Sequence, residues 1–242
     1  MKKISSPKYY IYGKHASVSA FENLNRKIHK IFTSNENKNL VPKNLLDKLE
    51  IIAPEQFAKI LPKGAVHQNI ALETSLLHTK SIEQVTFQEK TTLVILDQVT
   101  DPQNIGAVLR NAASFGIDGI ILPNDNSPHE NGIIAKAASG ALELVDIYRV
   151  TNLVKTMNYL KKLGFWITGL DGSAKDVFEP ETLSQKTCLV LGAEGAGIRR
   201  LVLENCDMLA KIMIDKKMES LNVASASAIT FYEISKSLVK KK

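Results

Sequence analysis

The sequence has little cysteine and no long apolar run. Two cysteines, Cys188 and Cys206, occur among 242 residues, and their spacing fits no metal site, so core thiols are favoured over a disulfide. No stretch of about 18 apolar residues is present, and no membrane helix is therefore predicted. The first residues, "MKKISSPKYYIYGKH", are basic without an apolar segment after them, which argues against a secretory signal. These absences predict a cytoplasmic protein without a membrane span or a metal.

Acidic residues are scarce in the first third of the chain. Residues 1–90 contain 14 Lys and Arg against 8 Asp and Glu, whereas residues 91–242 contain 17 of each sign. The whole net charge of +6 therefore lies before residue 91. One interpretation is an ordinary lysine-rich surface. The other is a module that faces nucleic acid and is attached to a neutral catalytic domain.

Apolar strand-like runs alternate with helical segments after residue 90. The run "TTLVILDQV" (91–99) is typical of a strand that is buried on both faces. Further strand-like runs are 119–122, 146–150, 165–171, 187–194 and 209–215, with helical segments between them. This alternation predicts an α/β fold with a mostly parallel sheet covered on both sides.

The first 75 residues alternate over shorter elements. Their predicted strands are 9–14, 27–34 and a run that begins at Gly64, and their predicted short helices begin near Pro42 and at Phe57. Residues 76–90 have mixed polarity and no clean period. The predicted organisation is an α/β module over 1–75, a linker over 76–90 and a second α/β domain over 91–242.

The first of three polar corners is "DPQNIGAVLRNAASFG", at residues 101–116. Ligands of open α/β sheets bind beyond the carboxyl ends of the strands, so residues at such corners are candidate site residues. Asp101 or Asn104 can cap the predicted helix. At about 100° per residue, Gly106 and Arg110 share the side opposite the larger apolar residues. Either this side packs closely against another element with Arg110 exposed, or Arg110 is aimed at an anion or a reacting oxygen.

The second corner, "LVLGAEGAGIRR", places Glu194 among glycines. Gly192, Gly195 and Gly197 surround it where an apolar strand meets a predicted helix. The spacing is neither the dinucleotide fingerprint nor a phosphate loop ending in Lys-Ser or Lys-Thr. The glycines either form a plain tight turn or let a ligand approach the main chain. A carboxylate that is buried in such a turn needs a partner.

The third corner is "ESLNVASASAITFYEI". Ser220 and Asn222 precede a predicted helix that has no charged residue before Glu233. They either cap this helix or contribute to a site. The many Ala and Ser residues of the helix imply close approach by another backbone, within the fold or from a second subunit.

Together, the three corners resemble the motifs of the SpoU branch of the SPOUT RNA 2′-O-ribose methyltransferases. The matches are Asn104, Gly106 and Arg110 to N-x-G-x-x-x-R, Gly192, Glu194 and Gly197 to G-x-E-x-x-G, and Ser220 to Val223 to S-L-N-V. The first 75 residues are similar to the family's small RNA-binding domain of ribosomal-protein-L30-like type. Within them, "YIYGKHAS" and "GAVHQNIA" most resemble the bacterial 23S rRNA guanosine-2′-O-methyltransferases.

The resemblance implies S-adenosylmethionine as methyl donor, a deep trefoil knot near the C-terminus and an obligate homodimer. The implied cofactor contacts are the backbone around Leu191, Gly192, Gly197, Ile212 and Leu221. The family usually has Ile-Pro-Met after the last strand, whereas this chain has "IMID" at 212–215. Without the proline, the cofactor loop is expected to be less rigid. The positive charge of the cofactor disappears on methyl transfer, so no metal is expected.

The resemblance assigns the chemical step to Arg110. A guanidinium is normally protonated, which leaves two roles open: a base activated by the substrate phosphate, or a fixed cation that holds phosphate and stabilises the developing alkoxide. The residues implied to orient Arg110, the ribose or the cofactor are Asn104, Glu194, Ser220 and Asn222.

Three alternatives stay open for the function. The chain is a 23S rRNA enzyme, a tRNA guanosine or ribosome-protecting resistance methyltransferase, or an RNA-binding or ribosome-assembly protein with an inactive site. The intact set of Asn104, Arg110, Glu194 and Asn222 favours an enzyme, and "IMID" is the departure that leaves room for the inactive protein.

Overall fold

The computed structural model describes residues 7–180 and 183–239, which form two sheets. The first sheet has four strands in the order β1-β4-β2-β3. Its elements are β1 (Lys8–Tyr12), α1 (Lys14–Glu22), β2 (Ile28–Thr33), β3 (Leu49–Ile51) and β4 (Ile70–Ser75). Strand β4 lies antiparallel between β1 and β2, and β3 pairs with β2 in parallel. Successive residues of β4 point to opposite faces, so Leu72 joins the core beside α1 and Ala71 joins a smaller cluster around Phe57.

The strand predicted from Gly64 begins later, at Ile70. Residues 64–69 form turns instead, and Gln68 and Asn69 have φ angles of 52° and 58°. A left-handed backbone cannot continue an extended strand, which is why this part of the prediction is wrong.

Three predicted helices are shorter or tighter than expected. The segments near Pro42 and at Phe57 form 3-10 turns, Lys43–Lys48 and Pro54–Lys59. The helix predicted after the glycine corner is the single turn α5 (Arg200–Leu203). Short 3-10 segments close one turn at a time and need no long apolar stripe.

The second sheet has seven strands in the order β7-β6-β5-β10-β8-β11-β9, and all neighbouring strands run parallel. Its strands are β5 (Thr91–Asp97), β6 (Gly119–Pro123), β7 (Asp146–Val150), β8 (Trp166–Leu170), β9 (Asp176–Val177), β10 (Lys186–Gly192) and β11 (Met208–Lys211). Its longer helices are α2 (Pro102–Phe115), α3 (Gly132–Ala138), α4 (Leu153–Lys162) and α6 (Val223–Val239). The predicted α/β class with a mostly parallel sheet is confirmed.

Helices cover both faces of the second sheet. Val94 and Leu96 of β5 pack in a core with residues of α2, α3 and α6. Leu93 and Ile95 point the other way, into a core that includes residues of α4 and α5. All four side chains are fully buried, as the continuous apolar run predicts.

Residues 76–90 pack against this second core. Ile82 is buried in it, and the ring of Phe87 meets those of Phe165 and Tyr148 edge-on, with centroids 5.2 and 6.3 Å away. The segment predicted as a linker therefore contributes apolar surface to the second sheet, and the domain division itself stays a prediction.

A buried ion-pair network joins the two sheets. The side chain of Arg26, fully buried, donates to Glu143 at 2.7 Å and also to Glu130. Tyr9 donates to Glu130, and burial raises the pKa of this phenol. Removing either kind of charge would leave the other buried without a counterion, so the network fixes the two sheets against each other.

Both cysteines are free thiols in or near the second core. Burial raises the pKa of both, that of Cys206 to about 12. Across the described ranges, no helix has the length and apolar character needed to span a bilayer.

Candidate active site

The first corner begins α2 with an Asx cap. Asp101 accepts a hydrogen bond from the backbone N–H of Gln103 at 2.9 Å, and Pro102 occupies the first helical position. Asp101, not Asn104, therefore caps the helix. The side-chain oxygen of Asn104 is left to accept a hydrogen bond from Asn222 at 3.1 Å.

Gly106 and Arg110 have different environments, although they lie one turn apart on α2. A Cβ atom on Gly106 would lie 2.5 Å from Cβ of Ala137, so the close packing of α2 against α3 requires glycine. Arg110 is exposed, and its guanidinium has no hydrogen bond or ion pair to any residue of the described ranges. Close packing against another element was one of the two interpretations of this side of α2, and it is confirmed for Gly106. The role of Arg110 stays a prediction.

The second corner is a tight turn closed by its own backbone. The N–H of Gly197 donates to the carbonyl of Ala193 at 2.9 Å, and Gly195 and Gly197 have φ angles of 80° and 66°. A Cβ on Gly192 would lie 2.2 Å from the carbonyl carbon of Gly197. These glycines are therefore needed for the turn itself, whatever ligand it meets.

Glu194 extends from this turn toward solvent. The sequence analysis expected a partner for this carboxylate if it were buried, and the side chain is exposed. Its carboxylate nevertheless has a partner, because Asn222 donates a hydrogen bond to it at 3.0 Å.

Asn222 joins all three corners. Its side-chain oxygen accepts a hydrogen bond from the N–H of Ala224 at 2.9 Å, which caps α6. Its side-chain amide donates to both Asn104 and Glu194. Capping was one of the two alternatives for Asn222 in the sequence, and the structure shows this cap. The other alternative, membership of a site, stays a prediction.

A further contact near the glycine turn, between Asp97 and Arg199, was missed by the sequence analysis. Asp97, fully buried at the end of β5, accepts hydrogen bonds from Nε and the backbone N–H of Arg199, both at 2.8 Å. The guanidinium of Arg199 also lies 2.7 Å from the same carboxylate. The signal in the sequence is an acid that ends the apolar run "LVILD", because a carboxylate in such a position needs a partner. This pair fixes the segment after the glycine turn to the end of β5.

A cavity of about 150 Å³ opens beside these contacts. Its lining residues are Leu170, Asp171, Gly172, Leu191, Gly192, Ala193, Glu194, Gly195, Ile212, Ile214, Glu219, Ser220, Leu221, Val223 and Ala226. Four of the five predicted cofactor residues are in this set, and Gly197 is outside it. Of the predicted catalytic residues, Glu194 and Ser220 line the cavity, whereas Asn104, Arg110 and Asn222 do not.

The lining suits a ligand that is apolar at one end and positively charged at the other. Leu191, Ile212 and Leu221 offer apolar surface, and among the described residues the lining contains carboxylates but no lysine or arginine. Asp171 and Glu219 are two of these carboxylates, and the sequence analysis missed both. Asp171 follows β8 directly, so its signal was again a polar residue at the carboxyl end of a parallel strand.

Comparison with known proteins identifies the family of this chain. The model of the SpoU rRNA Methylase family matches residues 91–232. The 23S rRNA (guanosine-2'-O-)-methyltransferase RlmB of Escherichia coli K12 is 35% identical over 235 residues, 92% of this chain and 96% of that protein. The protein of the same name from Vibrio parahaemolyticus is 42% identical over 174 residues, 70% of each chain.

Solved structures show the same fold. The SpoU methyltransferase AviRb from Streptomyces viridochromogenes, in complex with the cofactor AdoMet, superposes with a TM-score of 0.79 at 19% identity and covers 96% of this chain and 91% of its own. An AdoMet-bound rRNA methyltransferase from Sinorhizobium meliloti gives a TM-score of 0.81 at 20% identity, covering 96% of this chain and 88% of its own. The chain belongs to the SpoU rRNA methylase family.

Proposed function

We propose that this protein methylates the ribose 2′-hydroxyl of a guanosine in 23S rRNA, with S-adenosylmethionine as methyl donor. The observation that carries the proposal is the meeting of Asn104, Glu194 and Asn222 beside the cavity. The names of the relatives that match nearly the whole chain support the choice of 23S rRNA and of guanosine.

The cavity fits S-adenosylmethionine by its chemistry. Leu191, Ile212 and Leu221 would enclose the adenine, and the backbone at Gly192 would approach it closely. Asp171 and Glu219 would face the polar and positively charged parts. When bound, the cofactor supplies a methyl group on a positively charged sulfur.

The loop after β11 would form one side of this cofactor site. Ile212 lines the cavity, and Met213, in the place of the family's usual proline, is exposed. Because methionine leaves φ free where proline would fix it, the loop keeps more freedom before the cofactor binds.

Arg110 would act on the ribose and its phosphate. Its exposed guanidinium has no partner in the described ranges, so it is available to a substrate anion. Either it takes the proton of the 2′-hydroxyl with help from the phosphate, or it stays protonated and stabilises the developing alkoxide. Asn222 would hold Glu194 and Asn104 in register with the cavity, and Ser220 would orient the ribose or the cofactor.

The remaining features of the proposal concern assembly. Residues 1–75 would form an L30-like RNA-binding domain, and residues 91–242 a methyltransferase domain with a deep trefoil knot. The protein would work in the cytoplasm as a homodimer and without a metal. Ile229 and Tyr232 support the dimer, because these large side chains on α6 are 42% and 49% exposed beside the Ala and Ser residues of the helix.

A methyl-transfer assay tests the proposal. Purified protein and S-adenosylmethionine with a labelled methyl group are incubated separately with unmodified 23S rRNA, 16S rRNA and tRNA. The proposal expects label in 23S rRNA alone, at a 2′-O-methylguanosine after nuclease digestion. Label in tRNA would instead favour the tRNA enzyme, and calorimetry that finds no binding of the cofactor would favour the inactive RNA-binding protein.

A further inference from the structure

A lysine of the second sheet's helices reaches the first sheet. Nζ of Lys136, on α3, donates to the side-chain oxygen of Gln68 at 3.1 Å. The backbone N–H of Lys14, at the start of α1, donates to the same oxygen at 3.0 Å. A Cβ on Gly13 would lie 2.5 Å from Nζ of Lys136, so a side chain at that position would displace the end of this lysine. The start of α1, the 66–69 loop and α3 therefore form one continuous surface, here called the α1–α3 surface.

This surface carries two lysines that have no counterion among the described residues. Within the described ranges, neither Lys14 nor Lys136 has an ion pair with a carboxylate. Lys14 and His15 are exposed, and burial together with the nearby Lys136 ammonium lowers the pKa of the His67 imidazole. Unpaired cations gathered on one surface attract an external anion.

The 66–69 loop is held rigidly in an unusual conformation. Gln68 and Asn69 both have positive φ, and the side-chain amide of Asn37 donates to their two carbonyls at 2.8 and 3.2 Å. The ring of His67 stacks on Phe57 with centroids 4.5 Å apart, and its Nδ1 accepts from the N–H of Asn69. Backbone strain that is fixed by several contacts is typical of pre-organised binding loops.

The α1–α3 surface leads to Arg110. Ala137 follows Lys136 on α3 and packs against Gly106 of α2. Arg110 lies on the same side of α2 as Gly106, about 6 Å further along the helix axis. A chain molecule that lies across Lys14 and Lys136 and continues along α2 would reach Arg110.

We infer that the α1–α3 surface binds the sugar–phosphate backbone of the RNA substrate and guides the target ribose to Arg110. Lys14 and Lys136 would contact phosphates, and the pre-formed loop at Gln68 would meet the sugar or base between them. This inference rests on the proposed function, since it assigns a surface to the same substrate.

A second group of lysines in the first sheet offers a matched comparison. Lys27 and Lys48 raise the local potential around His29, on another part of the sheet. There Lys8 is already paired with Glu73, which reduces the attraction for an external anion. The α1–α3 surface is therefore the stronger candidate, and a double substitution at Lys27 and Lys48 removes equal charge from the rival position.

The test compares two double variants of the full-length protein in binding to an unmodified 23S rRNA transcript. For Lys14→Gln with Lys136→Met, the slope of log Kd against log salt is expected to fall by about 1 per lysine. In the methylation assay, the KM for RNA should rise and carry most of the loss in kcat/KM. Lys27→Gln with Lys48→Gln should keep the wild-type slope. Equal losses in both variants, a loss in the second alone or no loss in either would overturn the inference.

Two further measurements separate folding and catalysis from RNA binding. Lys14→Gln alone changes only an exposed side chain, so the variant should keep the wild-type thermal unfolding temperature. Its salt slope should fall by about half as much as that of the double variant. A wild-type slope in this folded variant would count against the surface. If the wild-type protein transfers no methyl group, yet binds RNA with a slope that depends on Lys14, the proposed function fails and the α1–α3 surface stands.

Discussion

Residues 1–90 carry the excess positive charge of the chain, whereas residues 91–242 have equal numbers of acidic and basic side chains. In the second region, the polar residues of the candidate site contact one another, as Asn222 does with Asn104 and Glu194. In the first region, Lys14 has no such internal partner in the described part of the chain. Residues that contact one another in a site form motifs that can be recognised in the sequence. Residues of a surface that binds an external partner are recognised mainly by their charge.

The two regions are nevertheless not independent. Arg26 of the first region is buried against Glu130 and Glu143 of the second, and residues 76–90 lie on the second core. The positively charged surface of the first region and the candidate active site of the second therefore belong to one packed structure. Variants in each region test their separate roles.

The largest change in stability is expected from Arg26→Met. This substitution leaves Glu130 and Glu143 at the junction without their cation, and breaking a buried pair in this way costs about 3–5 kcal/mol of unfolding free energy. Urea unfolding measures the effect. The matched control is Arg200→Met, which removes an exposed ion pair with Glu204 and should change the unfolding free energy by less than about 1 kcal/mol. Similar losses for the two variants would mean that the junction does not hold the regions together.

The largest change in activity is expected from Arg110→Ala. Loss of a group that stabilises developing charge lowers kcat by about 10²–10³-fold. Binding of S-adenosylmethionine, followed by calorimetry, should stay close to wild type because Arg110 does not line the cavity. Near-normal turnover in this variant would remove Arg110 from the mechanism and leave the second region's site without its proposed catalytic cation.

An intermediate effect is expected from Arg199→Met, which leaves Asp97 buried with a single backbone N–H as its donor in the described part of the chain. The lost charged hydrogen bonds should cost about 2 kcal/mol of unfolding free energy. Because Arg199 positions the segment after the glycine turn, the affinity for S-adenosylmethionine should fall as well. Asp97→Asn, which keeps a hydrogen-bonding oxygen and removes the buried charge, should cost less. The reverse order would contradict the proposed tie between β5 and the turn.

The smallest effect on stability is expected at Asn222, where two substitutions separate the cap of α6 from the hydrogen bonds of the side-chain amide. Asn222→Ala removes the cap of α6 and should cost about 1 kcal/mol of unfolding free energy. Asn222→Asp keeps the capping oxygen but places a carboxylate against Glu194, so kcat should fall while most of the stability is retained. If Asn222→Asp kept full activity, the junction of the three corners would be structural only.

The family and the second sheet could be predicted from the sequence because their signals are local. The continuous apolar run of β5 requires burial on both faces, and the structure confirms a parallel sheet between helices. The resemblance to the SpoU family is confirmed by the family model and by the relatives.

Other features depend on contacts that no local pattern reveals. Gly106 and Arg110 share a side in the helical wheel, but α3 covers Gly106 and leaves Arg110 exposed. The left-handed backbone of Gln68 and Asn69 is set by Asn37, which lies in a different segment. Both outcomes depend on how separate elements pack, which composition and periodicity do not encode.

The hydrogen bonds of Asn222 are the clearest case of this limit. They join residues from three corners that are far apart in the sequence. The motif resemblance could group these residues, but only the fold reveals that one side-chain amide contacts both of the others. The exposure of Glu194 likewise follows from the direction of the glycine turn, which the sequence leaves open.

The most direct test of the central claim is a map of ribose methylation in 23S rRNA from cells that lack this protein. The account predicts that one 2′-O-methylguanosine disappears and returns when the wild-type protein is supplied, but not when Arg110→Ala is supplied. An unchanged 23S rRNA map, with a ribose methyl lost from tRNA instead, would contradict it.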